Sequence, residues 1–417
     1  MRPYPDVLRV WARIAFATAI VTLSATGAVR GATPKDSKYG KVRVGPVYLT
    51  PRLTVTAGVD NNVYNTPVGI GDRAVAVTPV LDAVVPLTRF ARIKVSGGIS
   101  PHYFDKEASQ RYTDVFGTVG AEADAGPLTV RGGRGGGRYR QRFSLEIDDR
   151  LLRHESSHYF GATVRLVRRF SADVVQTDVT STYDQTAALA GQSVSGALDR
   201  KTVTRTLTFT IPLTRKTSLL PFVDFIEDQF LRPEIGLPRT VDSQRFGAAF
   251  QFSELAFFEG RIGGGIRRFA PGQGVAPYSG PFLLGDLNVP FAFGTRLALS
   301  ARRDVNYAVT PAATPEAQRN TAVMATYRVD WQFELPWRFH GRLFGGYSES
   351  KYLAPVLVDG SAHSRVDHAW TEGGALLRHL GRHLSLGGMV QAGKRISPLD
   401  GHSYDGILYG LTGEVRF

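Results

Sequence analysis

A strict alternation of apolar and polar positions returns again and again along this chain after about residue 48. From 75 to 87 the odd positions read Val75, Val77, Pro79, Leu81, Ala83, Val85 and Leu87, while Thr78 and Asp82 occupy the other face. From 91 to 103 Ala91, Ile93, Val95, Gly97, Ile99, Pro101 and Tyr103 stand against Arg92, Lys94, Ser96 and His102. Val203, Arg205, Leu207, Phe209, Ile211 and Leu213 alternate with a row of threonines, and Val323 to Leu335 repeats the pattern. A period of two marks strands with one apolar face. These runs are 11 to 13 residues long, about twice a typical soluble strand. That length suits a tilted strand crossing a bilayer, which takes about 9 to 11 residues.

A longer period organises the runs. Pro followed by a bulky apolar residue occurs at Pro86, Pro127, Pro212, Pro290 and Pro336, at spacings of 41, 85, 78 and 46. These are one, two, two and one steps of roughly 42 residues, the span of a paired repeat unit. The skipped steps fall at 168–172 and 254–258, and a further step reaches 380–383. Halfway between lie polar stretches rich in Gly, Pro, Asn, Asp and Ser: 60–72, 104–111, 143–157, 184–200, 232–242, 270–280, 306–320, 350–366 and 394–404. Strand, long polar loop, strand, tight turn is the layout of an all-β transmembrane antiparallel up-and-down β-barrel. Eight tight turns and two chain ends predict about 18 strands (16–20), with short periplasmic turns and longer extracellular loops. A secreted propeller would need four strands per repeat, whereas each step here holds two long ones.

Other features fit this reading. Phe90, Phe170, Phe257, Phe258, Phe291, Phe293, Trp337 and Phe339 crowd the tight-turn side, where an aromatic girdle meets the lipid interface. A basic start (Arg2, Arg9, Arg13), the apolar run Ile14–Leu23 and small residues through Ala32 form a secretory signal peptide. Residues 1–32 are therefore expected to be a signal peptide, cleaved between about 25 and 32 and preferentially after Ala28. Residues 33–47 would be a short periplasmic segment and 48–417 the barrel. The sequence has no Cys, so an exported chain must be stable without disulfides in an oxidising compartment; a closed sheet meets that need. The formal charge is +13, of which residues 1–30, with four Arg and one Asp, contribute +3. A basic balance suits nucleic acid, membrane surfaces or anionic solutes, and export excludes nucleic acid.

The last strand, ILYGLTGEVRF, ends on an aromatic residue. In this it resembles bacterial outer-membrane β-barrel proteins, whose terminal strand is read by the barrel-assembly machinery. Tyr409, Val415 and Phe417 match that signal, while Thr412 stands where a glycine is common. The opening strand GPVYLTPRLTVTAGVDNNVYNTP, 45–67, resembles a family of outer-membrane β-barrel porins that begin with a D-N-V-aromatic motif, here Asp60, Asn62, Val63 and Tyr64. The resemblance implies integral location in the outer membrane of a Gram-negative-type bacterium. It implies as partners the outer-membrane lipid and lipopolysaccharide, the assembly machinery and periplasmic chaperones; it names no solute and no oligomeric state.

Barrels of 16 to 18 strands typically leave an aqueous channel, so the expected function is a porin or channel passing small solutes. Export or surface organisation of a polysaccharide is the alternative, and a barrel-embedded enzyme or adhesin the third reading. Opposite the apolar faces, Arg92, Lys94, Arg261, Arg267, Arg338 and Arg342 are expected to line the lumen, beside Asp82, Glu122 and Glu334. Rings of Arg and Lys favour anions, unless they pair with these acids. No catalytic residue, cofactor or metal is expected. His154-Glu155-Ser156-Ser157-His158 has the H-E-x-x-H form that binds zinc on a helix, but it runs into the alternating segment 158–167. A strand would set the two His roughly 13 Å apart. Gly132–Gly137 lacks the Lys-Ser/Thr of a phosphate loop, Gly191–Gly196 misses the nucleophile-elbow spacing, and Glu146, Asp148 and Asp149 read as a solvated loop. Around Asp60 only Asp72 could add a calcium ligand, too few for a site of six to eight oxygens. Asp60 and Asn62 are expected to continue the inward face at the outer rim, where Tyr64 opens the first loop.

Overall fold

The computed structural model describes residues 42–416, apart from 142–150, 168–169, 185–187, 190–191, 194, 196–197, 233–238, 254–257, 271–276, 292–293, 310–318, 359–360 and 399–401. A short strand β1 (Val42–Val44) precedes β2 (Val47–Asp60), β3 (Asp72–Pro86), β4 (Ala91–Phe104), β5 (Tyr112–Ala125), β6 (Leu128–Gln141), β7 (Leu151–Val167) and β8 (Phe170–Tyr183). The two-residue strands β9 (Ala188–Leu189) and β10 (Gln192–Ser193) form a hairpin in the next loop. Then come β11 (Arg200–Pro212), β12 (Thr217–Phe230), β13 (Thr240–Phe252), β14 (Glu259–Ala270), β15 (Tyr278–Pro290), β16 (Arg296–Val309), β17 (Arg319–Leu335) and β18 (Phe339–Tyr352). A second loop hairpin, β19 (Val356–Val358) and β20 (Ser361–His363), precedes β21 (Val366–His379), β22 (Leu384–Ile396) and β23 (Tyr404–Arg416).

Each long strand pairs antiparallel with its neighbours in sequence, and β2 also pairs with β23, from Arg52↔Arg416 to Asp60↔Leu408. The sheet is therefore a closed barrel of 18 strands, as the period of roughly 42 residues predicts, with β1 adding three residues against β2. Closure leaves no unpaired edge, the condition for a sheet to cross lipid.

The apolar faces point outward. Leu81, Ile99, Phe160, Val174, Ile266, Val390 and Leu411 are all exposed, Leu411 to 71%. A soluble protein would bury such residues; a barrel wall offers them to acyl chains. At the tight turns Phe90, Phe170, Phe291 and Trp337 are exposed as well, Trp337 to 82%. Phe258 packs edge-on against Phe252 at 4.8 Å. Phe257 and Phe293 lie outside the described residues.

One loop boundary differs from the sequence expectation. The stretch expected as loop through residue 157 is strand from Leu151, registered on β6 through Arg138↔His154 and Arg134↔His158 and on β8 through His158↔Asp178. Its outward positions there are polar, so the alternation that betrays the other strands is missing, yet the backbone ladder continues. The H-E-x-x-H string thus lies on a strand, with both His on one face, and cannot present the helical zinc geometry.

At the closing seam Gly58 faces Gly410, and a Cβ on Gly410 would run into the Ala57 carbonyl and the Gly58 Cα. Gly410→Val is expected to force the two strands apart at a cost of about 1–3 kcal/mol, as overpacking does. It should lower the fraction of refolded protein that migrates as a compact, heat-modifiable band on a gel.

Candidate functional site

The inward face is built from alternating polar residues, and most of its charges are matched in pairs. On β4 and β5 Arg92 meets Glu122 at 2.7 Å and Lys94 meets the same carboxylate at 3.3 Å. Arg52 pairs with Asp82 at 2.9 Å, and Ser96 donates to Asp82 at 2.5 Å. On β6 Arg131 bridges to Asp173 of β8 at 2.8 Å. Arg342 of β18 pairs with Asp330 of β17. Long side chains on neighbouring strands, and Arg131 even across β7, stand within reach of a carboxylate on the same face, so an Arg-rich face also carrying acids neutralises itself.

The densest part lies on β11 to β17. Arg245 donates to Asp224 at 2.8 Å and to Asp304 at 3.0 Å; Arg267 donates to the same Asp304 at 3.0 Å and to Ser243 at 3.0 Å. Thr206 donates to Asp224 at 2.7 Å. Beyond this network, toward the extracellular loops, Phe230, Val241, Phe269 and Val305 are buried together, with Tyr307 edge-on to Phe230 at 5.3 Å and to Phe269 at 5.5 Å. A hydrophobic cluster on the inner face narrows the passage on this side, because its residues share strand faces with Asp228, Ser243 and Arg267. Beside the network the wall holds a recess of about 620 Å³ lined by Phe222, Phe282, Arg261, Arg302 and Asp286 among others.

A second charged cluster is sealed at the loop-side rim of β21 and β22. Arg365 donates to Asp367 at 2.6 Å, Arg395 at 2.9 Å and Ser397 at 2.7 Å, and Asp367 and Arg395 are almost wholly buried. In the loop before β11 Asp199 accepts the Tyr183 N–H at 2.7 Å. Burial raises its carboxyl pKa despite that bond and despite Arg232 at 3.7 Å.

Of the cations expected in the lumen, Arg92, Lys94, Arg267 and Arg342 stand on inward faces and all meet carboxylates. Arg261 stands on the recess with no ion pair among the described residues. Arg338 does not lie on the wall: with φ 63° it is the last residue of the tight turn 336–338. The expected phase fails there because the turn breaks the alternation between β17 and β18. Tyr409 and Val415 face outward on β23, opposite Val59 and Leu53; Phe417 lies outside the described residues. Among the described residues no group of three or more His, Cys, Asp and Glu side chains converges as a metal site.

The first-strand motif is more than a rim. Asn62 is 2% exposed and Val63 fully buried. The Asn62 amide donates to the Thr66 carbonyl at 2.8 Å and to the Asp405 carbonyl at 2.7 Å, while its oxygen accepts Thr66 N–H at 3.1 Å. Asp60 accepts the Asn62 N–H at 2.9 Å, and Tyr64 donates to Glu107 at 2.6 Å. Asn61 adds two bonds to Ile407 at 3.1 and 2.7 Å. The motif therefore clasps the first loop to the last strand, some 340 residues away in sequence. Composition alone points to a turn; the partner at 405–407 shows only once the seam is closed.

No protein-family model and no curated protein sequence matches the chain. Among solved structures it is similar to a BenF-like porin from Pseudomonas fluorescens Pf-5, at a TM-score of 0.50 and 10% identity, over 89% of this chain and 98% of that one. It is also similar to OccAB3 from Acinetobacter baumannii, at a TM-score of 0.48 and 8% identity, over 90% and 100% of the two chains.

Two substitutions separate buried from open pairs. Asp367→Ala is expected to lower unfolding free energy by about 3–5 kcal/mol, the cost of stranding buried charge. Arg52→Ala, at an open pair, should cost about 1 kcal/mol or less. Urea titration in detergent micelles, followed by tryptophan fluorescence, reads both. Asn62→Ala should cost about 1–3 kcal/mol in the same assay through the unsatisfied carbonyls. The matched pairs within, the acyl-facing wall without and the likeness in strand arrangement give the chain the fold of a bacterial outer-membrane porin, a closed 18-strand β-barrel.

Proposed function

We propose that the chain is an integral outer-membrane channel through which small polar solutes diffuse, and not an enzyme. The observation that carries this reading is the inversion of polarity across a closed wall: Leu81, Phe160 and Leu411 face out, while paired charges and threonines face in. An 18-strand barrel encloses more width than side chains fill. The cluster around Phe230 and Tyr307 narrows this passage without replacing its polar lining. On this reading residues 1–32 direct export, 33–47 lie in the periplasm, and Tyr409, Val415 and Phe417 serve the assembly machinery.

Weak anion preference belongs to the same proposal. Of the six expected lumen cations, Arg261 alone stands on the wall with no ion pair among the described residues, so net selectivity is small and that side chain contributes to it. In planar bilayers the purified protein is expected to give stepwise conductance. Its reversal potential in a KCl gradient should lie slightly on the anion side, and Arg261→Ser should move it toward zero. Absence of conductance would overturn the channel, and cation selectivity the preference.

A further inference from the structure

The outer wall carries a step. On β4 the outward residues stay apolar from Ile93 through Val95 and Ile99, and on β23 from Ile407 to Val415. On β6 the apolar outward run is only Leu128, Val130 and Gly132, after which come Arg134, Gly136 and Arg138. On β7 Leu166, Val164, Ala162 and Phe160 give way to His158, Ser156 and His154. Along β8 and β11 to β14 the same change occurs at Gln176, Arg205, Glu227, Gln244 and Arg268. On β6 and β8 the apolar run is five residues, roughly 15 Å, and on β7 and β11 to β14 about seven, roughly 23 Å, against an apolar band of about 25 Å in such barrels. On β6 and β8, then, polar side chains begin within the level of the outer leaflet.

The polar area is not uniform in charge. On β8, β11 and β12 it balances itself: Lys201 meets Asp178 at 3.3 Å and Arg205 meets Glu227 at 4.0 Å. On β6 and β7 it is basic only. Arg134 lies directly opposite His158 and Arg138 directly opposite His154. Both arginines are exposed and have no hydrogen-bond or ion-pair partner among the described residues. Immediately below them Phe160, 63% exposed, Val164 and Val174 offer an apolar platform. A cationic shelf above an apolar slope matches a molecule with anionic head and acyl tails. A second copy of this chain fits less well, because the nearby acids Asp178 and Glu227 are already engaged.

We propose that Arg134 and Arg138 form a docking site for a phosphate-bearing glycolipid of the outer leaflet, with its acyl chains lying on Phe160, Val164 and Val174. The site gives a role to the His154–His158 string: its two His stand directly opposite the arginines as further hydrogen-bonding groups. The inference rests on the outer-membrane reading above.

The test is native mass spectrometry of the full barrel refolded in detergent, offered bis-phosphorylated lipid A or the same lipid stripped of its phosphates. The wild-type barrel is expected to retain the phosphorylated form selectively. Arg134→Ser combined with Arg138→Ser should bind it about 30-fold more weakly, at roughly one surface charge interaction per arginine. Arg134→Lys with Arg138→Lys should keep most of the binding. Equal retention by the serine variant, equal retention of the phosphate-free lipid, or dimers that the serine variant dissolves would overturn the proposal while leaving the channel standing. Failure of every variant and the wild type to fold into a heat-modifiable barrel would overturn both.

Discussion

Every backbone N–H and C=O in the wall must find its partner inside the wall, because hydrocarbon offers none. The pairing of β2 with β23 is where that demand is met last, since all other strands pair with a sequence neighbour. The seam therefore carries features found nowhere else in the described chain in this combination: two facing glycines that let the backbones approach, and a clasp of Asp60, Asn61 and Asn62 that reaches residues 405–407. Closure fixes the inside and the outside, and from it follow both the lipid-facing surface and the lumen.

Within the lumen a second constraint acts. A charged side chain held against the low-dielectric wall is costly unless paired. The chain answers with shared carboxylates: Glu122 serves Arg92 and Lys94, Asp304 serves Arg245 and Arg267, and Asp367 serves Arg365 and Arg395. Such sharing leaves little net field for ions to read. It also ties strands together on the water side, at Asp304 across one and two intervening strands, while the lipid side contributes only packing.

The strand count, the turn positions and the facing of most wall residues were legible in the sequence, because alternation and the spacing of Pro86, Pro127, Pro212, Pro290 and Pro336 report directly on geometry. The start of β7 was not, since its outward residues are polar and period two vanishes when both faces are polar. Arg338 was misplaced for a related reason: phase counted along a strand does not survive a turn. The partners of Asn62 and Asp304 were hidden because they come from strands distant in the chain, and only the closed register brings them together. The aromatic cluster around Tyr307 was hidden likewise, its members lying on four strands whose inward faces read as ordinary alternation.

Closure of the seam can be tested covalently, since the chain has no cysteine of its own. Thr56 stands opposite Thr412 across β2 and β23, and directly opposed antiparallel residues have Cα separations of about 4.5–5.5 Å, within disulfide range. The measurement is disulfide formation in a Thr56→Cys, Thr412→Cys variant refolded in detergent and oxidised. The expected result is a nearly complete intramolecular link that keeps the barrel compact on a denaturing gel. Absence of the link, or a link formed only between separate molecules, would contradict the closed 18-strand barrel and everything argued from it.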